Sequence, residues 1–402
     1  MNAYENVHFY NKLFKQNNIR PEDIKKIEDI NKIPIVRKKV LRTISSNELV
    51  STNYHIQTLK EHRTSGSTGE PWKYYINNVE DEWRKSIYMR ANIMCGQKIR
   101  DDWVVVTSPH HFGDTTNLQK IMGIFAQKYV SVFDEVKKQI KMISNYRPDV
   151  LDGYSGSLYL LAKEVQHSVI KSIRPRIIFG SADFIDSSSK RLIEKAFEAP
   201  FYDQFGCGEV DRTAWQCKER DKYHIDVDSV IMQFVDENGD EVSPGETGEI
   251  VYTSLFNYAQ PFIRYAINDL GEPSADECSC DIKLPLMSVV EGRKDAYIVL
   301  PGGRLLSPMG FWSIMRTYNY SDLIDKFQVI QQSENKINIF LKEAPHKIDV
   351  DIKETLISHV NTNLNINNMP IELEVYLVDD IPLDKSGKLR SVISHVSKEG
   401  LL

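Results

Sequence analysis

The sequence lacks the features by which several classes of protein are recognised. Its 402 residues contain no internal repeat and no low-complexity segment, which excludes repeat solenoids and collagen-like chains. No apolar run is long enough to cross a bilayer, and residues 1–16 have no apolar segment behind a basic one. No signal peptide or membrane span is therefore predicted, and we expect a cytoplasmic protein with no membrane partner.

A large excess of charge of either sign is also missing. The 50 Lys and Arg residues stand against 56 Asp and Glu residues, which gives a net charge of −6. This balance offers no general attraction for nucleic acid, so a nucleic-acid partner is not expected. Hydrophobic residues make up 41% of the chain and aromatic residues 10%, which is enough for a buried core and argues against disorder.

Cysteine is scarce and its count is odd. The five cysteines are Cys95, Cys207, Cys217, Cys278 and Cys280. Without an export signal, they are more typical of free thiols or metal ligands than of disulfides. Six residues separate Cys217 from His224, and Cys278 and Cys280 form a C-x-C pair, so these four side chains have the ligand count of a closed zinc site. The spacing is not the commonest one of zinc fingers, and from the residues alone four unrelated side chains are an equal alternative.

Strand and helix patterns alternate between residues 64 and 200, after a short helical lead-in over residues 1–60. This alternation predicts an α/β fold with a mostly parallel sheet that is buried on both faces. The predicted helices are 79–94, 118–129, 136–145, 157–167 and 187–197, and the predicted strands include 103–106, 150–151 and 176–179.

The pattern changes in the C-terminal half. Short strands with turn residues between them predict an antiparallel β-rich part over 225–290. A turn-rich joint near residue 295 predicts a boundary between a large domain, 1–294, and a small α+β domain, 295–402.

The strongest single motif is a loop of hydroxyl residues and glycines. It consists of Thr64, Ser65, Gly66, Ser67, Thr68 and Gly69. Backbone N–H groups and hydroxyls in such a loop can converge on a phosphate, although an ordinary solvent loop has a similar composition. The order of a Walker P-loop is absent, which excludes that class of nucleotide site.

Three other motifs are weak when taken alone. Gly208 and Glu209 follow a strand-like segment, and a carboxylate there can meet a cation such as Mg²⁺. Asp269 can accept hydrogen bonds from sugar hydroxyls, but an ordinary turn explains it equally well. Lys388 lies in a basic glycine loop that a solvated tail would resemble.

Ser155 nearly fits the nucleophile elbow of esterases, but Ser157 replaces the last glycine, which disfavours that enzyme class.

The order of these motifs along nearly the whole chain resembles that of the adenylate-forming (ANL) enzymes. The resemblance rests on residues 64–71, 202–209, 257–269, 291–295 and 386–390. It is strongest to the phenylacetate-CoA ligase family and, within it, to relatives from capsular polysaccharide gene clusters.

This resemblance implies a large adenylate-forming domain followed by a small mobile domain, and an ATP-dependent acid-CoA ligase. A carboxylic acid is joined to AMP as an acyl-adenylate, and coenzyme A then displaces AMP. Lys388 is implied as the catalytic cation and Glu209 as the Mg²⁺ ligand. Asp295 is implied as the hinge between half-reactions.

The resemblance also implies a set of nucleotide contacts. The loop Thr64 to Gly69 is expected to hold the β- and γ-phosphates, and Asp269 the ribose, with Arg293 nearby. The residues implied around the adenine are Gly180, Ser181, Ala182, Asp203, Gln204, Phe205 and Gly206.

In these relatives a Cys, a His and a C-x-C pair bind zinc. Cys217, His224, Cys278 and Cys280 fall at the matching places, which implies a structural zinc with no open coordination position.

The acid and the acceptor stay open. The segment from Ser108 to Gly113 is unlike that of aromatic-acid enzymes, so phenylacetate itself is not expected. An alternative acceptor is an acyl carrier protein or an amine in surface polysaccharide or secondary metabolite biosynthesis. A non-catalytic nucleotide-binding scaffold is the alternative of another class, and a monomer or homodimer is expected by analogy.

Overall fold

The computed structural model describes the chain except for residues 64–71, 114–115, 168–172, 183, 291–296, 302–303, 307–310, 312–313, 316, 345–349, 365, 367–368, 384–388 and 397–402. The chain divides into two compact units, Met1–Val290 and Glu291–Leu402. Each unit has its own apolar core. In the part of the chain that is described, no helix is long and apolar enough to cross a bilayer.

The first unit contains the following elements. Its strands are β1 (Val36–Arg37), β2 (Lys60–Arg63), β3 (Lys73–Ile76), β4 (Trp103–Thr107), β5 (Gln127–Ser131), β6 (Val150–Tyr154), β7 (Ile177–Ser181), β8 (Phe201–Cys207), β9 (Asp211–Gln216), β10 (Tyr223–Ile225), β11 (Val230–Val235), β12 (Gly248–Ser254), β13 (Tyr265–Ser274) and β14 (Leu286–Val290). Its helices are α1 (Asn2–Asn6), α2 (His8–Gln16), α3 (Lys38–Leu41), α4 (Ser46–Leu49), α5 (Asn78–Met94), α6 (Asn117–Met122), α7 (Val136–Tyr146), α8 (Ser155–His167) and α9 (Ser187–Phe197).

One mixed sheet organises this unit. Among the described residues it has twelve strands in the order β11-β12-β13-β14-β10-β9-β8-β7-β6-β4-β5, with β1 beside β13. Neighbours from β5 to β8 are parallel, and neighbours from β8 to β11 are antiparallel. The strands β2 and β3 form a separate hairpin. The predicted α/β fold is confirmed, and its β-rich part continues the parallel sheet.

The parallel strands are apolar on both faces because helices cover both. Val104 and Ile178 belong to one cluster, which Leu158 of α8 and Ile193 of α9 complete. Phe179, next to Ile178 on β7, points to the other face and packs in a cluster with Tyr88 of α5. Successive side chains of a strand point to opposite faces, so continuous apolar runs are expected where both faces are buried.

The prediction of one helix over residues 118–129 is wrong. Helix α6 ends at Met122, because Gly123 takes the left-handed conformation that terminates helices, with φ +63°. The chain then forms β5, which pairs in parallel with β4 at the edge of the sheet. A strand there suits Tyr129 and Val130, which favour strands over helices.

The second unit is a small α+β domain. Its elements are β15 (Ile298–Leu300), β16 (Arg304–Leu306), β17 (Ile324–Ser333), β18 (Lys336–Glu343), α10 (Ile352–Leu364), β19 (Glu372–Leu377) and β20 (Val392–Ser394). Four strands form a sheet in the order β19-β18-β17-β20. Buried residues at every fourth position of α10, from Ile352 to Leu364, face the core of this unit. The predicted α+β character is confirmed.

Candidate functional site

A buried carboxylate stands at the carboxyl end of the parallel sheet. Glu209 lies in the turn between β8 and β9 and is 1% exposed. Its Oε1 atom lies 2.8 Å from Nζ of Lys38 and accepts a hydrogen bond from the hydroxyl of Tyr265 at 2.7 Å. Burial alone raises the pKa of Glu209, but the Lys38 ammonium and the Tyr265 hydroxyl outweigh it, and the pKa falls below its usual value. Glu209 is therefore a buried anion with a fixed cation.

The cation Lys38 belongs to the lead-in segment, residues 1–60. Strand β1 pairs in parallel with β13, so that Val36 lies opposite Tyr265, and α3 begins at Lys38 directly after β1. The pairing thus brings both partners of Glu209 to the same place. Sequence reasoning missed Lys38 and gave Tyr265 no role. The only local signal was the basic run after β1, which a solvated surface also explains.

Asp269 lies on β13, four residues after Tyr265, and is half-buried. The residue before it, Asn268, has φ +68°, a left-handed conformation that glycine adopts most readily. The pKa of the Cys207 thiol is raised well above its usual value, by burial first and then by the charges of Glu209 and Asp269, which outweigh the opposing effect of Lys38. Glu209 and its partner Lys38 therefore lie at the carboxyl end of β8, where ligands of α/β proteins commonly bind, and the charge of Asp269 acts on the same end of the strand.

The segment predicted around the adenine divides into two groups. Ser181 ends β7 and Ala182 follows it with φ +73°, so both lie at the carboxyl edge of the sheet. Asp203 and Gln204 of β8 are instead engaged in the interior. Asp203 accepts a 2.5 Å hydrogen bond from the Tyr223 hydroxyl, and the Gln204 amide donates to Oδ1 of Asn92 at 2.7 Å.

Packing alone accounts for two of the predicted glycines. A Cβ at Gly180 would lie 2.0 Å from the ring of Phe201, and a Cβ at Gly206 would lie 2.1 Å from the carbonyl oxygen of Asp211. Side chains essentially never approach so closely, so both positions require glycine whatever binds nearby. Phe205, which follows Gln204 in β8, is partly buried against the core.

The hairpin β2–β3 is fastened to the turn that carries Glu209. The hydroxyl of Tyr74 donates to the carbonyl oxygen of Gly208 at 2.5 Å, and Nη2 of Arg84 donates to the same oxygen at 2.7 Å. The predicted phosphate loop connects β2 to β3. The loop residues Thr64, Ser65, Gly66, Ser67, Thr68 and Gly69 lie outside the described residues, as do Asp183, Arg293, Asp295 and Lys388.

The four predicted zinc ligands are brought together. Cys217 follows β9, His224 lies in β10, and Cys278 and Cys280 lie in the connection from β13 to β14. Their ligand atoms all lie within 4.8 Å of one another. The Cys217 and Cys278 sulfurs are 3.6 Å apart, and the Cys280 sulfur is 3.4 Å from Nε2 of His224.

These distances fit a tetrahedral zinc site. Zinc bonds of about 2.3 Å to sulfur and about 2.0–2.1 Å to nitrogen place two sulfurs roughly 3.8 Å apart, and sulfur and nitrogen roughly 3.6 Å apart. Burial lowers the pKa of His224, which favours the neutral imidazole that a metal needs. Burial also raises the pKa of Cys217 to about 12, so metal binding there must displace a proton.

The geometry disfavours the esterase alternative. The Ser155 hydroxyl is 1% exposed and has no hydrogen-bond partner among the described residues. A nucleophilic serine needs a general base within hydrogen-bond reach. Ser155 instead begins α8 directly after β6, as a strand-to-helix turn predicts.

Comparison with known proteins finds similar sequences for both units. A family model described as the CapK C-terminal domain matches residues 303–395. The chain is 25% identical to the phenylacetate-coenzyme A ligase of Pseudomonas putida over 67% of this chain, a match that spans only 62% of that enzyme. It is 20% identical to the phenylacetate-coenzyme A ligase of Thermus thermophilus over 97% of this chain and 93% of that enzyme. It is 22% identical to Protein CapK of Staphylococcus aureus over 98% of this chain and 86% of that protein.

Solved structures show the same fold. A 2-hydroxyisobutyryl-CoA ligase, in the postadenylation state with R3-HIB-AMP, matches with a TM-score of 0.76 and 17% identity, over 99% of this chain and 87% of that chain. The anthranilate CoA ligase AuaEII, in complex with anthranoyl-AMP, matches with a TM-score of 0.60 and 16% identity, over 97% and 80%.

Proposed function

We infer that this chain, a phenylacetate-CoA ligase-like member of the adenylate-forming superfamily near CapK, is an AMP-forming acid-CoA ligase. A carboxylate oxygen attacks the α-phosphorus of ATP, pyrophosphate leaves, and an acyl-adenylate forms. The thiolate of coenzyme A then attacks the acyl carbon, and AMP leaves with the bridging oxygen. Support comes from ligase relatives along most of the chain and from the fold of CoA ligases with bound adenylates.

One observation carries the proposal: Glu209 and its cation Lys38 lie in and against the turn that follows β8, and the charge of Asp269 acts on Cys207 at the end of that strand. A nucleotide there would place its phosphates near a fixed cation and its ribose near a carboxylate that can accept hydroxyl hydrogen bonds. We propose Asp269 for the ribose, and Phe205 with Gly180, Ser181, Ala182 and Gly206 for the adenine side. The side chains of Asp203 and Gln204 support β8 from the interior.

The remaining roles fall on residues outside the described part of the chain. We propose that the loop Thr64 to Gly69 holds the β- and γ-phosphates through its backbone N–H groups. Lys388 is proposed as the cation that meets the negative charge developing on the attacked phosphate, and Arg293 as a further ribose contact. Tyr74 of β3 donates to the Gly208 carbonyl, so the strand that follows the loop is held to the turn that carries Glu209.

Two metals are associated with this proposal. Zinc fits the cluster Cys217, His224, Cys278 and Cys280, and with four protein ligands it would tie the connection from β13 to β14 onto β9 and β10. Mg²⁺ accompanies ATP generally, but Oε1 of Glu209 is already held by Lys38 and Tyr265. The residues present therefore do not fit a magnesium ion at that oxygen.

The acceptor has a second candidate. An acyl carrier protein or an amine is the alternative to coenzyme A as the acceptor of the acyl group. Product analysis separates the acceptors, because each product carries the acyl group on a different atom.

The proposal is tested by acid-dependent release of pyrophosphate from ATP, with a panel of aryl, fatty, hydroxy, amino and sugar-derived acids, each with and without coenzyme A. We expect one acid class to give release, and Lys388→Ala to lower the rate at least about 100-fold. Lys385→Ala, in the same loop, is the matched control and should stay near the wild-type rate. Equal rates for the two variants would remove Lys388 from the mechanism, and ATP binding without release for any acid would favour the scaffold.

A further inference from the structure

We propose that Lys38 is the resident cation of Glu209, in the place of a divalent metal, and that its ammonium binds the phosphates of the nucleotide. Glu209 then acts as a positioning residue that aims Lys38. This inference rests on the proposed function, because it assumes that a nucleotide occupies the end of β8.

The contacts at Glu209 exclude a metal from the same oxygen. Lys38 Nζ and the Tyr265 hydroxyl both approach Oε1, at 2.8 and 2.7 Å. A magnesium ion requires its oxygen ligands at about 2.0–2.1 Å in a near-octahedral shell and usually retains several waters. Glu209 is 1% exposed, which leaves little space for a hydrated ion, whereas an ammonium on a tethered stem needs no such shell.

The segment before Lys38 is built to hold it in place. Nη1 of Arg264 donates to the carbonyl oxygens of Asn31 and Ile33 at 2.9 Å each. Arg264 immediately precedes Tyr265, so one short stretch of chain fixes both partners of Glu209. The ion pair of Arg37 with the buried Glu249 of β12, at 2.6 Å, also holds β1 to the sheet.

Lys38 also keeps the capacity to bind a ligand. An ammonium has three donors, and the contact with Glu209 uses one of them. Its side chain is 21% exposed, whereas that of Glu209 is 1% exposed, so a ligand reaches the cation but not the anion beneath it. A compact charge of this kind is a common partner for phosphate.

Removing Lys38 alone would leave Glu209 as a buried unpaired charge and threaten folding. The test therefore uses the double variant Lys38→Met/Glu209→Gln, which removes both charges, together with Lys38→Arg and the exposed neighbour variant Lys39→Met as the control. Binding of ATP and of adenosine is measured by calorimetry in EDTA. Binding of Mn²⁺ to the ATP complex is measured by electron paramagnetic resonance, with Glu209→Gln as a further variant.

We expect the double variant to bind ATP at least tenfold more weakly than the wild type in EDTA, while adenosine binding changes less than twofold. Lys38→Arg, which keeps the positive charge, should lose less ATP affinity than the double variant does, and Lys39→Met should stay within about threefold of the wild type. Glu209→Gln should leave the Mn²⁺ affinity of the ATP complex unchanged.

Two results would overturn the inference alone: wild-type ATP affinity in the double variant, or a tenfold loss of Mn²⁺ affinity in Glu209→Gln. Failure of the wild-type protein to bind ATP under any condition would instead remove the proposed function, and this inference with it.

Discussion

The substitution Asp226→Asn is expected to destabilise the first unit strongly, because Asp226 is the buried anion of a charge network. It is 0% exposed and lies 3.3 Å from Nη2 of Arg212, whose side chain is 3% exposed. The indole N–H of Trp215 also donates to it at 3.1 Å, and Arg90 reaches it from α5. Asparagine keeps the shape of the side chain but leaves Arg212 without this partner, at a cost of about 3–5 kcal/mol.

Asp228 supplies the matched control. It also pairs with Arg90, but the two side chains are 43% and 35% exposed, and such pairs contribute about 0–1 kcal/mol. Since both variants weaken the contact with Arg90, the difference between them reports the buried contacts of Asp226 with Arg212 and Trp215.

Denaturant unfolding followed by tryptophan fluorescence measures both changes. Asp226→Asn should lower the unfolding free energy by at least about 2 kcal/mol more than Asp228→Asn does. The double variant Arg212→Met/Asp226→Asn should recover part of the loss, because it leaves no uncompensated buried charge. Equal losses in the two single variants would refute the reasoning that burial sets the strength of this pair.

Two further predictions concern the metal cluster and a buried acid. Purified protein is expected to contain about one zinc per chain. Cys278→Ser should lower both the zinc content and Tm, whereas Cys95→Ser, outside the cluster, should keep the zinc. Fully stable metal-free protein would contradict the structural role of zinc. Burial raises the pKa of Asp152 to about 6, against the hydrogen bond that it accepts from Tyr88. Because the folded pKa lies above the unfolded value, the folded state binds the proton more tightly and stability falls as pH rises from about 4 to 6. Asp152→Asn should therefore raise Tm relative to the wild type above pH 6 and lose this advantage near pH 4, and an advantage that does not depend on pH would rule out the protonation argument.

The parallel core could be predicted from the sequence because its signal is local. Ser187–Phe197 carries buried residues at helical spacing on one face, and Trp103–Thr107 is a continuous apolar strand. Burial on both faces produces such patterns without reference to the rest of the chain. The strand Gln127–Ser131 was missed because an edge strand mixes apolar and polar residues. The helix before it also hides the point at which the hydrophobic period changes from that of a helix to that of a strand.

The candidate site was predictable only in part. Motif order predicted roles for Glu209 and Asp269, which stay predictions, and the residue types of Cys217, His224, Cys278 and Cys280 predicted a candidate ligand set. The proximity of the four ligands depends on β10 pairing with both β9 and β14, which no spacing along the chain reveals. The interior orientation of Gln204 likewise follows from a partner on α5, Asn92.

Lys38 illustrates why a motif identifies a residue but not its partner. A carboxylate after a glycine pair is compatible with a metal ion and with an ammonium, since both are cations. The space beside the carboxylate and the attachment of the cation to the chain distinguish an ammonium from a metal ion. Both depend on the pairing of β1 with β13. Strand β13 carries both Tyr265 and Asp269, and its neighbour β1 leads into Lys38. Under the proposed function, a nucleotide whose ribose binds Asp269 would therefore have its phosphates near the Lys38 ammonium. The lead-in is therefore part of the candidate site, because the cation that pairs with Glu209 comes from the first forty residues.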